Sequence, residues 1–215
     1  WERLRKDPEI VSKATRSEVR KLTHEYSFFH WHLAFPQVFR VDKEKCKQES
    51  ENHGWSGGFD VMLGNPPWDT LSPDAKEFFS QYDPQIRFQA PEGQARLIAE
   101  LTANSEISAK WAKTRRALFL EALFLKESGR YRLFAPGNLG KGDLNVYRMF
   151  VETALDSVGV GGMAAQVTPE GLYNGANCMA IRRALFDRFL LSRLFSFENA
   201  RETWFKGIDS RTKFT

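Results

Sequence analysis

Residues 65–68 of the chain read Asn-Pro-Pro-Trp, directly after the apolar run Phe-Asp-Val-Met-Leu-Gly at 59–64. The carboxamide of Asn65 offers one hydrogen-bond acceptor and the carbonyl of Pro66 a second, neither of them a competing base. Such a pair suits the exocyclic amine of a nucleobase, whose nitrogen lone pair is delocalised into the ring and poorly nucleophilic. Acceptors at its two protons draw that nitrogen towards tetrahedral geometry and return density to the lone pair. Proline has no amide proton, and its fixed φ keeps the carbonyl aimed. Pro67 also forces Pro66 out of the α region. The turn is stiff in advance, as positioning catalysis requires. Trp68 adds a flat ring. A base stacked in a duplex reaches such a pocket only by rotating out, at a cost of a few kcal/mol. Stacking on an indole returns about 1–3 kcal/mol. The bland alternative is a plain turn followed by a core tryptophan. A glycine-ended strand just ahead and an aromatic in fourth place favour the chemical reading.

The elements that must position these residues follow from pattern. The run 59–64 is short, apolar and bounded by turn residues, which predicts a strand buried on both faces. It sets residues 65–68 at its carboxyl end, where open α/β sheets bind ligands. Upstream, residues 1–27 are charge-rich and helical in part, with Pro8 as a break. Residues 26–39 are densely aromatic, Pro36 rules against one continuous helix there, and 40–58 read as a polar loop.

Downstream, residues 70–92 look irregular, with Pro73, Pro84 and Pro91. A helical stripe of Ile107, Trp111, Leu118, Ala122 and Leu125 then runs to about Ser128, with Lys110, Lys113, Arg115 and Arg116 off or beside it. Residues 130–143 read as a loop ending at Asp143, a potential cap for a helix with Val146, Phe150, Val151, Ala154, Leu155 and Val158 on its apolar face. Gly-Val-Gly-Gly at 159–162 stops that helix, and 163–169 form a buried strand. Asn177 caps a further helix bearing Cys178, Ile181, Leu185 and Phe189, and 194–198 form another strand. The final residues, 210–215, look like the start of one more. The alternation of strand and helix predicts an α/β fold with a mostly parallel sheet flanked by helices. A leading segment spans 1–58, and a catalytic domain spans 59–215 with a helical insertion at about 70–143.

Composition sets outer bounds. With 215 residues, 42% of them hydrophobic, the chain can bury one sizeable core. A net charge of +4 is compatible with a polyanionic partner without demanding one. Cys46 and Cys178 form no Cys-x-x-Cys pair, which argues for a reducing compartment and against a disulfide framework or zinc knot. No apolar run is long enough to span a bilayer and no secretory signal opens the chain, so the protein reads as cytoplasmic. His24, His30, His32 and His53 have no helix-spaced pair or nearby cysteine, so no metal is expected. Neither a Ser-His-Asp arrangement nor a nuclease-like carboxylate cluster is present.

Taken together, these segments resemble the amino-group S-adenosylmethionine-dependent DNA methyltransferases of the N6-adenine kind, whose hallmark is Asn/Asp-Pro-Pro-aromatic after the fourth strand. The closer likeness is to the large Eco57I-type restriction–modification methylases and related phage-defence methylases. It rests on "FHW…FPQVF", "GFDVMLGNPPW", "GRY…LNVYRMFVETAL", "GGMAAQVTPEGL" and "SFEN…DSRTKF", in that order, and covers roughly residues 26–215. The resemblance implies a partial Rossmann-like methyltransferase fold acting on double-stranded DNA. Asn65 and the Pro66 carbonyl would hold the adenine amine, Pro67 would keep the turn rigid and Trp68 would stack on the flipped base. Phe59 and Asp60 belong to the supporting strand. Asn145 and Tyr147 match the family's Asn-x-Tyr and would line the S-adenosylmethionine side of the cleft, a plain capping role being the open alternative.

One family feature is missing. The glycine clusters "GWSGGF", "GNLGKG" and "GVGG" all lack the strand–glycine loop–helix context of a cofactor fingerprint. The resemblance therefore implies a larger parent polypeptide, with the cofactor motif upstream of Trp1 and a target-recognition domain downstream. The same Asn-Pro-Pro turn serves RNA-base and protein-glutamine methylases, which usually carry tyrosine and lack the long insertion. An inactive DNA-binding fragment is a third reading.

Overall fold

The structure, a computed structural model, describes residues 7–40, 55–133 and 144–215. The chain divides into two compact units, Trp1–Phe59 and Asp60–Thr215.

In the first unit, Pro8 opens a 3-10 turn over Pro8–Ile10, ahead of the first helix. Its missing amide proton is one that a first turn leaves unbonded in any case. Helix α1 (Lys13–Tyr26) starts at Ser12, whose hydroxyl accepts from the Thr15 amide at 3.1 Å. It ends at Ser27, which is left-handed at φ 48° and donates its amide to the Thr23 carbonyl. A single turn, α2 (Trp31–Ala34), stops just short of Pro36. Two short strands, β1 (Phe39–Arg40) and β2 (Ser56–Gly57), pair antiparallel. The aromatic stretch converges on Phe59, which meets Trp31, Phe35 and Phe39 edge-on at centroid distances of 5.6, 5.3 and 5.2 Å. Such edge-to-face pairs contribute roughly 0.5–1.5 kcal/mol each beyond their buried area. Most of the expected 40–58 loop lies outside the described residues.

The second unit is a mixture of helices and small sheets. Strand β3 (Phe59–Gly64) has the expected limits and pairs in parallel with β4 (Val158–Gln166). Between them, the stretch expected to be irregular is helical in short pieces, because Asp74 and Asp83 cap what the prolines merely begin. Asp74 accepts from the Glu77 amide ahead of α3 (Ala75–Ser80), and Asp83 from the Gln85 amide ahead of a 3-10 turn at Pro84–Phe88. Helix α4 (Pro91–Thr102) and helix α5 (Ser105–Glu127) follow. Asn104 separates them, its side-chain oxygen accepting from the amides of Glu106 and Ile107. Trp111 of the α5 stripe packs against Phe78 and Phe79 at 4.9 and 5.3 Å, and Leu125 is buried with Met149.

Helix α6 (Tyr147–Ser157) carries Tyr147, Val151 and Leu155 into a cluster with Cys178 and with Ile181 of α8 (Met179–Asp187). Between β4 and α8 lies the single turn α7 (Gly171–Asn174).

Several expectations need correction. Asp143 lies outside the described residues, and α6 begins after Val146 with no side-chain cap. Phe150 faces outward on α6, while Arg148 and Glu152 are buried there. Glu152 is tolerated because its carboxylate accepts from the amides of Arg132 and Leu133. The 159–162 glycines belong to β4, which starts at Val158 directly after the helix. Gly161, at φ 80°, adopts a strand conformation closed to other residues. Asn177 sits inside a 3-10 turn (Ala176–Cys178) and caps nothing. The 194–198 strand shrinks to β5 (Phe197–Glu198), antiparallel to β6 (Lys213–Phe214).

The sheet is therefore not mostly parallel among the described residues. Three two-stranded pieces are present, and β3–β4 is the parallel one. Nor is β3 buried on both faces. Val61 and Leu63 are 50% and 75% exposed, as are Val160 (99%) and Met163 (70%) of β4. An all-apolar strand needs cover on each face, and the described residues supply too little of it. No helix among them is long and apolar enough to cross a membrane.

Candidate functional site

The Asn-Pro-Pro-Trp turn leaves the carboxyl end of β3, where the Val167 amide donates to the Gly64 carbonyl at 2.9 Å. A Cβ on Gly64 would meet the Gln166 amide oxygen at 2.7 Å, so the two strand ends approach closely here. Asn65 is exposed, and its carboxamide makes no hydrogen bond among the described residues. Pro66 is buried, and no described amide or side chain donates to its carbonyl. Pro67 is exposed. Among the described residues, both acceptors of the turn are thus unclaimed.

Trp68 is half-buried and anchored at several points. Its Nε1 donates to the Val167 carbonyl at 3.3 Å. Phe205 meets the indole edge-on at 5.2 Å and Phe214 tilts against it at 5.9 Å. It also packs on the Tyr147–Val151–Leu155–Cys178–Ile181 cluster.

Beyond Trp68 the chain is clipped at a neck. The Val146 amide donates to the Asp69 carbonyl at 2.9 Å and the Leu71 amide to the Leu144 carbonyl at 2.8 Å. Thr70 and Asn145 form an antiparallel bridge, with Asn145 Nδ2 donating to Thr70 Oγ1 at 3.2 Å. On the other side, the exit of β4 is tied to β6: Thr168 and Thr215 exchange backbone hydrogen bonds at 2.7 and 2.8 Å, and Pro169 bridges Phe214. That tie carries Phe214 to the tryptophan.

Sequence reasoning missed one residue that shapes this region. Asn199 is fully buried and makes four side-chain hydrogen bonds. Its Nδ2 donates to the carbonyls of Phe205 (2.8 Å) and Ile208 (3.0 Å). Its Oδ1 accepts from the amides of Trp204 (3.1 Å) and Phe205 (2.9 Å). Asn199 thereby fixes the loop that brings Phe205 onto Trp68. The signal was the asparagine in "SFEN", which carries no periodicity.

The other expected residues fall elsewhere. Tyr147 is only 4% exposed and shares a hydrogen bond with Cys178 Sγ at 3.4 Å. Burial, reinforced by that bond, pushes its phenol well above the ordinary range. Asn145 is spent on the neck. Both side chains thus have protein partners, Asn145 on Thr70 and Tyr147 on Cys178. Among the described residues no strand–glycine loop–helix unit occurs, residues 137–142 lying outside them. His32 stacks on Trp55 at 5.4 Å. His53 and Cys46 lie outside the described residues, and within those no group of three His, Cys, Asp or Glu comes together for a metal.

Comparison with known protein families, curated proteins and solved structures finds no match.

Proposed function

We propose that this chain captures and presents the target amine in S-adenosylmethionine-dependent N6-adenine methylation of double-stranded DNA, as the base-binding half of a partial Rossmann-like fold in a cytoplasmic restriction–modification or phage-defence protein. One observation carries the reading: the Asn65 carboxamide and the Pro66 carbonyl, neighbours in a rigid turn at a strand's carboxyl end, have no donor among the described residues and stand beside an anchored indole. An unused acceptor in a stiff turn is a preorganised one. Asn65 Oδ1 takes one N–H of the amine, the Pro66 carbonyl takes the other, and the exposed part of Trp68 receives the purine. On this reading the main cofactor motif belongs to the remainder of a larger polypeptide, because none of the chain's glycine clusters has the strand–glycine loop–helix pattern.

The test is Asn65→Ala in that polypeptide, followed by labelled-methyl incorporation into duplex DNA. Loss of one preorganised hydrogen-bonding group lowers turnover by about 10²–10³, with duplex affinity unchanged. Equal loss of binding and turnover would contradict the role. Label entering RNA or a glutamine-containing peptide in preference to duplex DNA would move the substrate to those classes.

A further inference from the structure

Helix α5 spans 23 residues and is two-sided. Its stripe faces inward through Trp111 and Leu125. Elsewhere on its surface, Ala112, Arg115, Arg116 and Phe119 line an open hollow of about 380 Å³. These positions are spaced three, four and seven residues apart, so they share one side of the helix.

The charges in this helical module are unevenly satisfied. Arg87 pairs with Glu77 at 2.8 Å, Arg96 with Glu100 at 3.1 Å and Lys110 with Glu106 at 2.7 Å. The Lys110 contact holds the Glu106 carboxyl below its usual range. Lys113, Arg115 and Arg116 are exposed, and no described carboxylate reaches them. Three uncompensated cations within four residues repel one another, at a modest cost in water. Phe119, 65% exposed, stands one turn beyond the two arginines.

Resting on the reading of a DNA substrate given above, we propose that this side of α5 docks the sugar–phosphate backbone of duplex DNA, with Arg115 and Arg116 on successive phosphates, Lys113 flanking and Phe119 against a sugar edge. Guanidinium forks match phosphate oxygens in pairs, and the hollow between the two arginines and Phe119 has room for such a group. The contact reads no sequence. It fixes the orientation of the duplex and adds a salt-dependent share of affinity.

The experiment uses the 215-residue chain and a fluorescein-labelled duplex of arbitrary sequence, titrated by anisotropy at several salt concentrations. Arg115→Gln with Arg116→Gln is compared with the unsubstituted chain and with Arg96→Gln, a control that removes a paired cation on the neighbouring helix. Each lost phosphate contact lowers the slope of log affinity against log salt by about 0.9. The double variant is therefore expected to lose roughly 1.8 of slope and at least tenfold in affinity at low salt, while Arg96→Gln stays within twofold. Far-ultraviolet circular dichroism should be unchanged, since the substituted side chains are exposed. An unchanged slope in the double variant overturns the proposal. So does absence of salt-dependent binding by the unsubstituted chain. A Phe119→Ser change that shifts sedimentation and leaves DNA affinity intact would put a second copy on this face instead. None of these results touches the methyl-transfer test at Asn65, so the two readings fail separately.

Discussion

Trp68 is given two tasks, one in the core and one towards the base, and substitution can separate them. Complete truncation of a buried tryptophan to alanine costs about 3–5 kcal/mol, and half-burial scales that to roughly 2. Loss of the Nε1 hydrogen bond to Val167, long at 3.3 Å, adds about 0.5–1 kcal/mol. Loss of the edge-on pair with Phe205 adds a further ~0.5–1 kcal/mol. Trp68→Ala is thus expected to lower unfolding free energy by about 3 kcal/mol, read from urea midpoints at constant slope. Trp68→Phe keeps a ring against Phe205 and Phe214 and abandons only the N–H, so its loss is nearer 1 kcal/mol. For base capture the scale is the stacking contribution, about 1–3 kcal/mol, or roughly five- to 150-fold in the extruded population. The assay is the fluorescence rise of 2-aminopurine placed at the target position, recorded where circular dichroism shows both variants folded. Trp68→Ala should abolish most of the rise and Trp68→Phe should retain most of it. A full rise with Trp68→Ala would refute the stacking role and leave a core residue. A stability loss below about 0.5 kcal/mol would refute the packing account.

Two further outcomes follow from the loop behind the tryptophan. Asn199→Ala removes four hydrogen bonds from a fully buried site and is expected to destabilise by about 3 kcal/mol. Amide exchange at Trp204 and Phe205 should rise together, and unaltered protection there would contradict the hub role. Asp209 is held at about 2 by the Arg211 side chain, its amide adding to the effect. A carboxyl depressed on folding lends stability above its unfolded value of about 3.9, and that share is lost as pH falls towards about 2. Arg211→Ala should raise the Asp209 carboxyl carbon's titration midpoint part of the way towards the ordinary carboxylate value by NMR, the amide bond remaining, and an unmoved midpoint would refute the side-chain pairing.

How much of this could be read in advance depended on whether the decisive interactions were local. Strand β3 came out with its limits intact because six apolar-biased residues ending in glycine have one economical conformation. The inward stripe of α5 was legible for the same reason, since helical spacing is a local property. The break at Asn104 was not, although an asparagine two and three residues ahead of the amides it serves is an ordinary cap. The glycines at 159–162 misled because glycine ends helices far more often than it extends a strand. Here α6 closes at Ser157 without them. For Tyr147 the motif gave a residue type, and its burial against Cys178 came only from the fold. Asn199 was missed although its partners lie only five to nine residues along the chain, because a loop asparagine carries no periodicity. At the turn itself, residue types were legible, whereas the lack of any donor to Asn65 and Pro66 among the described residues needed the fold.

The neck at Thr70 and Asn145 has a consequence for how such chains diversify. An antiparallel bridge sets its two backbones about 5 Å apart, so the segment 71–144 of the second unit begins and ends at nearly one point. Lengthening or replacing a segment whose ends already meet changes closure entropy only logarithmically, about 0.6 kcal/mol per doubling. The helices it contains can therefore be lengthened or exchanged as a cassette while the Asn-Pro-Pro-Trp turn and the strands around it stay as they are.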